Sequence, residues 1–118
     1  MIAKLFYVCY TFSMTIKQCT KLYNELSKKN NCSYKLVWMK RVKKFNSAGW
    51  CSWKNKTIRL QPVFIELNNE EDIIDLILHE IAHALMPKHH HNKFWKRKAI
   101  EIGCSGNRCY GKHIKKQL

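Results

Sequence analysis

Between residues 14 and 30, apolar side chains fall at Ile16, Cys19, Leu22, Tyr23 and Leu26, the spacing of one helix face. Lys17, Lys21, Lys28 and Lys29 fill the gaps, and Asn30-Asn31 ends the pattern. The period then shortens. In SYKLVWMKRV, Tyr34, Leu36 and Trp38 take every second position, which predicts a strand. Residues 49–53 and 57–60 predict two more strands, joined at Lys54-Asn55-Lys56 as a hairpin that Pro62 closes. A small antiparallel sheet of about three strands is therefore expected. Asn68 or Asn69 caps the next helix, with Glu70, Glu71 and Asp72 in the first turn, where the macrodipole favours negative charge. That helix, IIDLILHEIAHALM, is apolar nearly all round, so it should be central and buried until Pro87 stops it. A last helix over 92–102 places Trp95, Ala99 and Ile102 on one side and Lys96, Arg97 and Lys98 on the other, with Gly103 as its stop. The order of elements defines an α+β domain.

The chain has 118 residues, enough for one domain with a real core. No apolar run reaches the roughly 18 residues of a membrane span. The first ten residues, MIAKLFYVCY, are apolar, but Tyr7, Cys9 and Tyr10 interrupt them and no small-x-small cleavage site follows closely. Residues 1–13 read as an N-terminal extension, with Met14 an alternative start. Residues 14–104 read as the domain, and residues 105–118 as a basic tail. Six cysteines (9, 19, 32, 51, 104 and 109) match no arguable disulfide framework, so reduced thiols in an intracellular protein are expected. Cys104 and Cys109 resemble half of a zinc site, but no second pair follows.

Charge sharpens the picture. The net charge is +14, and six of the eight acids lie between Glu66 and Glu80, so the remaining surface is nearly all cationic. Such a surface attracts polyanions through counterion release, nucleic acid above all.

The chemistry sits in HEIAHALMPKHHHNKFW, residues 79–95. His79 and His83 are four apart on a helix, so their rings project from one face toward one ion. Glu80 is placed to reach a water held by that ion without ligating it, the HExxH arrangement of a zinc hydrolase with a glutamate base. Two imidazoles on a buried helix are costly without a partner, which favours a metal over a satisfied core pair. A catalytic zinc takes three protein ligands and a water, so a third ligand must follow Pro87. His89 would give HExxHxxxxxH, but Met86 stands where that pattern needs a glycine. His91 is the other candidate, and His90 is expected to face away. His113 reads as solvated.

Residues 33–104 resemble the SprT-like domain, the group that includes bacterial SprT and the metazoan protease Spartan. The likeness runs through YKLVW, the strand around Gly49, TIRLQPVFIEL, ILHEIAHALM and HNKFWKRKAIEIGC. It implies a zincin-like minimal metalloprotease domain holding one catalytic zinc ion. In that family a histidine four residues before an aromatic follows the zinc helix. His91 stands four before Trp95, so the resemblance implies His79, His83 and His91 as ligands and Glu80 as the base. His89 then becomes a supporting or substrate-contacting residue. The implied function is a monomeric zinc endopeptidase acting on DNA-associated or DNA-crosslinked proteins. The alternative is a nucleic-acid-binding module with a structural zinc. Many relatives carry further zinc ribbons or DNA-binding arms, whereas this sequence is expected to amount to a nearly bare catalytic domain. DNA contact is therefore assigned to Lys40, Arg41, Lys43 and Lys44, to Lys96, Arg97 and Lys98, and to the tail at Lys112, Lys115 and Lys116. Trp50 and Trp53 are candidates for stacking on unpaired bases, with at least one expected in the core.

Overall fold

A computed structural model describes residues 14–107. The N-terminal extension, Cys9, Cys109, His113 and the tail lysines lie outside the described residues. The described elements run α1 (Ile16–Lys29), β1 (Lys35–Trp38), β2 (Gly49–Ser52), β3 (Thr57–Leu60), α2 (Pro62–Leu67), α3 (Glu70–Leu85) and α4 (Lys93–Glu101). Their class is α+β, as expected.

α1 opens on Thr15, whose side chain accepts from the Gln18 N–H at 3.0 Å while Gln18 Oε1 accepts from the Thr15 N–H at 2.9 Å. This reciprocal cap satisfies two donors that a helix start otherwise leaves to water. Its inward face carries Cys19 and Tyr23, and the Tyr23 hydroxyl donates to the Tyr34 carbonyl at 2.6 Å. The bond ties the helix to the residue that precedes β1.

The sheet corrects the expectation of antiparallel pairing throughout. β2 and β3 form the predicted antiparallel hairpin, with Cys51 opposite Ile58, but β1 pairs with β3 in parallel, in the order β1-β3-β2. Period-two alternation tells which face a residue takes and is silent about strand direction. Parallel pairing here sets Leu36 beside Ile58 and Trp38 beside Leu60, so all four turn to the same face. The long connection between β1 and β3 supplies the crossover that parallel neighbours need. Trp53 falls in the turn after β2 rather than in the strand.

Pro62 closes the hairpin and also begins α2, a short helix absent from the expectations. Gln61 caps it by accepting from the Val63 N–H at 3.3 Å. PVFIEL is a short apolar run, which periodicity cannot separate into strand or helix. Asn69, not Asn68, caps α3, accepting from the Asp72 N–H at 2.9 Å. Asn68 is buried and donates to the Phe64 carbonyl at 3.0 Å, finishing α2 instead.

α3 is the spine of the domain. Ile73, Leu76, Ile77 and Ile81 are fully buried with Ile58, Leu60, Phe64 and Ile65 in one cluster. On its other side, Leu78 and Ala82 meet Trp95 and Ala99 of α4. α4 starts at Asn92, whose side chain accepts from the Phe94 and Trp95 N–H groups, both at 3.1 Å. Gly103 ends it with φ +103°, a left-handed conformation that glycine adopts at least cost. Asp75 holds the following strand of chain, accepting from the Ser105 N–H at 2.6 Å and its hydroxyl at 2.9 Å.

Candidate metal centre

Because α3 is packed on both flanks, the rings of His79 and His83 have little freedom to leave its remaining face. Their centroids stand 5.1 Å apart. The chain after Pro87 turns back through Lys88, at φ +71°, and brings in a third ring. His91 Nε2 lies 3.0 Å from His83 Nε2 and 3.1 Å from His79 Nε2. These are the three residues among those described whose ligand atoms converge on one point.

Trp95 floors the triad. Fully buried on α4, its ring lies 4.7 Å from His79, 5.1 Å from His83 and 4.8 Å from His91, centroid to centroid. The sequence marked Trp95 as a core residue and as a register point for His91, but not as the common platform. His89 is turned elsewhere. Its Nδ1 pairs with Asn92 Nδ2 at 3.0 Å and its ring sits 5.0 Å from Phe94. Asn92 thus caps α4 and holds His89 away from the triad; an asparagine just ahead of a helix was the available signal. His90 corrects the expectation that it faces away. It is exposed, yet it lines the cleft, 5.4 Å from the Trp53 ring.

Electrostatics keep the lone pairs of His79 and His83 available. Burial, followed by the neighbouring His83 and His91 rings, lowers the His79 pKa to about 3, and a hydrogen bond to the Asn107 backbone opposes the shift. Burial and then His91 lower His83 to about 4. Both imidazoles are therefore neutral near pH 7, as metal ligands must be. The three Nε2 atoms face one another at these distances, with donor and acceptor roles set by the tautomer of each ring. A tetrahedral zinc with bonds of about 2.0–2.1 Å would set its nitrogens roughly 3.3 Å apart, near the separations found here. The donor set fits such an ion.

Glu80 is buried, at 3% exposure, and points to β2. A Cβ built on Gly49 would stand 3.0 Å from Glu80 Oε2 and 2.9 Å from Leu76 Cδ1, so glycine is what lets the strand lie this close to the helix. Cys51 lies on the same side. Burial first, then the Glu80 charge and Cys32, push its thiol up to about 12. Glu80, the triad and β2 line one cleft of about 570 Å³, continued by Asn46, Trp50 and Lys54. Neither Asn46 nor Ser47 had been marked from the sequence, because a polar loop carries no periodic signal.

The basic candidates occupy two separate elements. Lys40, Lys43 and Lys44 are exposed between β1 and β2, while Arg41 is held in an ion pair with Glu66. Lys96 and Arg97 are exposed on α4, and Lys98 is half-buried and paired with Glu101 at 3.2 Å. Trp50 is 52% exposed, with the Arg59 guanidinium 5.3 Å from its ring centre; Trp53 is the partly buried one of the two.

A helix carrying two converging histidines, a third from the following loop, and a small mixed sheet beside them define a zincin-like metallopeptidase fold. The crystal structure of the metallopeptidase zymogen of Pyrococcus abyssi abylysin shares it, with a TM-score of 0.59 and 22% identity over 82% of this chain and 85% of that one. The SprT-like family model matches residues 16–115, and the chain belongs to that family. Protein SprT of Shigella dysenteriae serotype 1 (strain Sd197) is 34% identical over 73 residues, covering 58% of this chain. The matched stretch spans 44% of that relative's own length.

Proposed function

We propose that the protein is a zinc-dependent endopeptidase whose ligands are His79, His83 and His91 and whose base is Glu80. The observation that carries this reading is three imidazoles, His79 and His83 of them neutral near pH 7, converging beside a buried carboxylate in an open cleft. Zinc bound there would polarise a scissile carbonyl and bring the pKa of a water to about 7. Glu80 takes the proton of the attacking water and returns it to the leaving amine. Among the described residues β2 is an outer strand of the sheet, so an extended peptide can pair along that edge and present a carbonyl to the triad. A structural ion would need a fourth protein ligand, and the converging set among the described residues has three members.

Replacing Glu80 by Gln is the test. Proteolysis of an unfolded substrate should fall by at least about a hundredfold, the usual scale of general-base loss, with metal content unchanged. Full activity in Glu80→Gln would remove the mechanism.

The substrates are proposed to be proteins bound or crosslinked to DNA. Support comes from the charge of +14 and from exposed Lys40, Lys43, Lys44, Lys96 and Arg97. Running the same assay with and without single-stranded DNA tests this part. Equal rates on DNA-bound and free substrate would sink it.

A further inference from the structure

An α-helical carbonyl normally accepts from the N–H four residues on. For His83 that residue is Pro87, which has none. At the end of α3 the Met86 N–H donates to the Ala82 carbonyl at 3.0 Å, and just beyond the helix the His89 N–H donates to the Met86 carbonyl at 3.1 Å, so neither backbone donor goes to His83. The orphaned carbonyl belongs to a triad residue, and a side chain reaches it from the sheet. Trp53, in the turn after β2, donates its indole N–H to the His83 carbonyl at 2.7 Å.

We infer that Trp53 is a positioning residue for the metal centre, supplying the donor that Pro87 withholds from His83. The indole is partly buried and packs on the main core, so its direction is fixed by more than this bond. Its ring also lies 5.4 Å from His90, the neighbour of His91. One side chain therefore touches both segments that deliver ligands after Glu80: the end of α3 and the returning loop. Without the donor, the His83 carbonyl must turn to water, and the last turn loosens with the ring it carries. The inference rests on the reading that the triad holds a metal.

Trp53→Phe keeps the aromatic packing and removes the donor. Zinc affinity, measured by chelator competition, should weaken by about tenfold, the lower end of what loss of a ligand's supporting bond costs. The visible spectrum of the cobalt-substituted protein should shift as well, since it reports ligand geometry. Adding Pro87→Ala, which restores a backbone N–H at that position, should recover part of the loss. Wild-type affinity and an unchanged cobalt spectrum in Trp53→Phe would overturn the inference, even if the melting temperature fell. Failure of the unsubstituted protein to bind zinc would overturn the metal reading itself and this inference with it. Should Trp53→Phe not fold, the indole N–H resonance of the native protein decides. Slow exchange and a shift on adding zinc support the role; solvent-rate exchange overturns it.

Discussion

Gly49 shows how much can rest on a missing methyl group. Its strand lies against Leu76 and Glu80 so closely that a Cβ would meet both at about van der Waals overlap, 2.9 and 3.0 Å. Gly49→Ala should therefore destabilise the fold by about 1–3 kcal/mol, as overpacking does, and displace Glu80 from the cleft. Urea unfolding beside a proteolysis assay checks both effects; an unchanged midpoint would mean the strand can retreat freely. The thiols behave in the opposite way, protected by their surroundings. Burial pushes Cys19 up to about 12 and Cys104 to about 11, so neither is thiolate near neutral pH. Both should resist alkylation in the native protein at pH 8 and react on unfolding, read by mass spectrometry. Cys19, Cys32, Cys51 and Cys104 form no disulfide with one another among the described residues.

Among the elements, α3 concentrates the chemistry and its cap sets where it begins. The sequence allowed either of two adjacent asparagines, and the choice went to Asn69 because Asn68 is consumed at the end of α2. Asn69→Ala should cost about 1 kcal/mol of stability, measured by chemical denaturation. A loss near zero would show that Glu70, Glu71 and Asp72 hold the helix start by charge alone. The long elements were legible because a helix of fourteen or sixteen residues repeats its period several times. α2 was not, with six residues. Strand direction was hidden for a different reason: Leu36 and Trp38 face inward whichever way β1 runs, and only pairing with β3 decides. Within the site, the HExxH residues could be read from one helix's geometry. His90 could not, since a loop has no period to say where its ring points.

At the scale of the molecule, the excess of positive charge has few internal uses among the described residues. Arg41 and Lys98 are the cations in ion pairs among the described residues, both in exposed or half-exposed settings where such pairs add little stability. Most of the surplus is left to act on the surroundings. Affinity for single-stranded DNA should drop about tenfold or more between roughly 50 and 200 mM salt, as about three phosphate contacts would produce. Fluorescence anisotropy across that range, on oligonucleotides of different sequence, gives the slope. A flat response would mean the charge does not drive binding. No helix among the described residues is long and apolar enough to cross a membrane, which matches the absence of such a run in the sequence.

By itself, the sequence determined what is local and periodic: the helices that carry whole turns, the hairpin, and the placing of His79, Glu80 and His83 on one buried helix. It also narrowed the third histidine to the run after Pro87. Tertiary structure decided whatever depends on segments meeting across the chain. It set β1 parallel to β3, gave the triad its floor in Trp95, turned His89 to Asn92, and brought the Trp53 indole to a carbonyl that Pro87 had left open. Periodicity reports a residue's relation to its own neighbours along the chain; which distant atom fills a vacant bond is settled only when the layers pack.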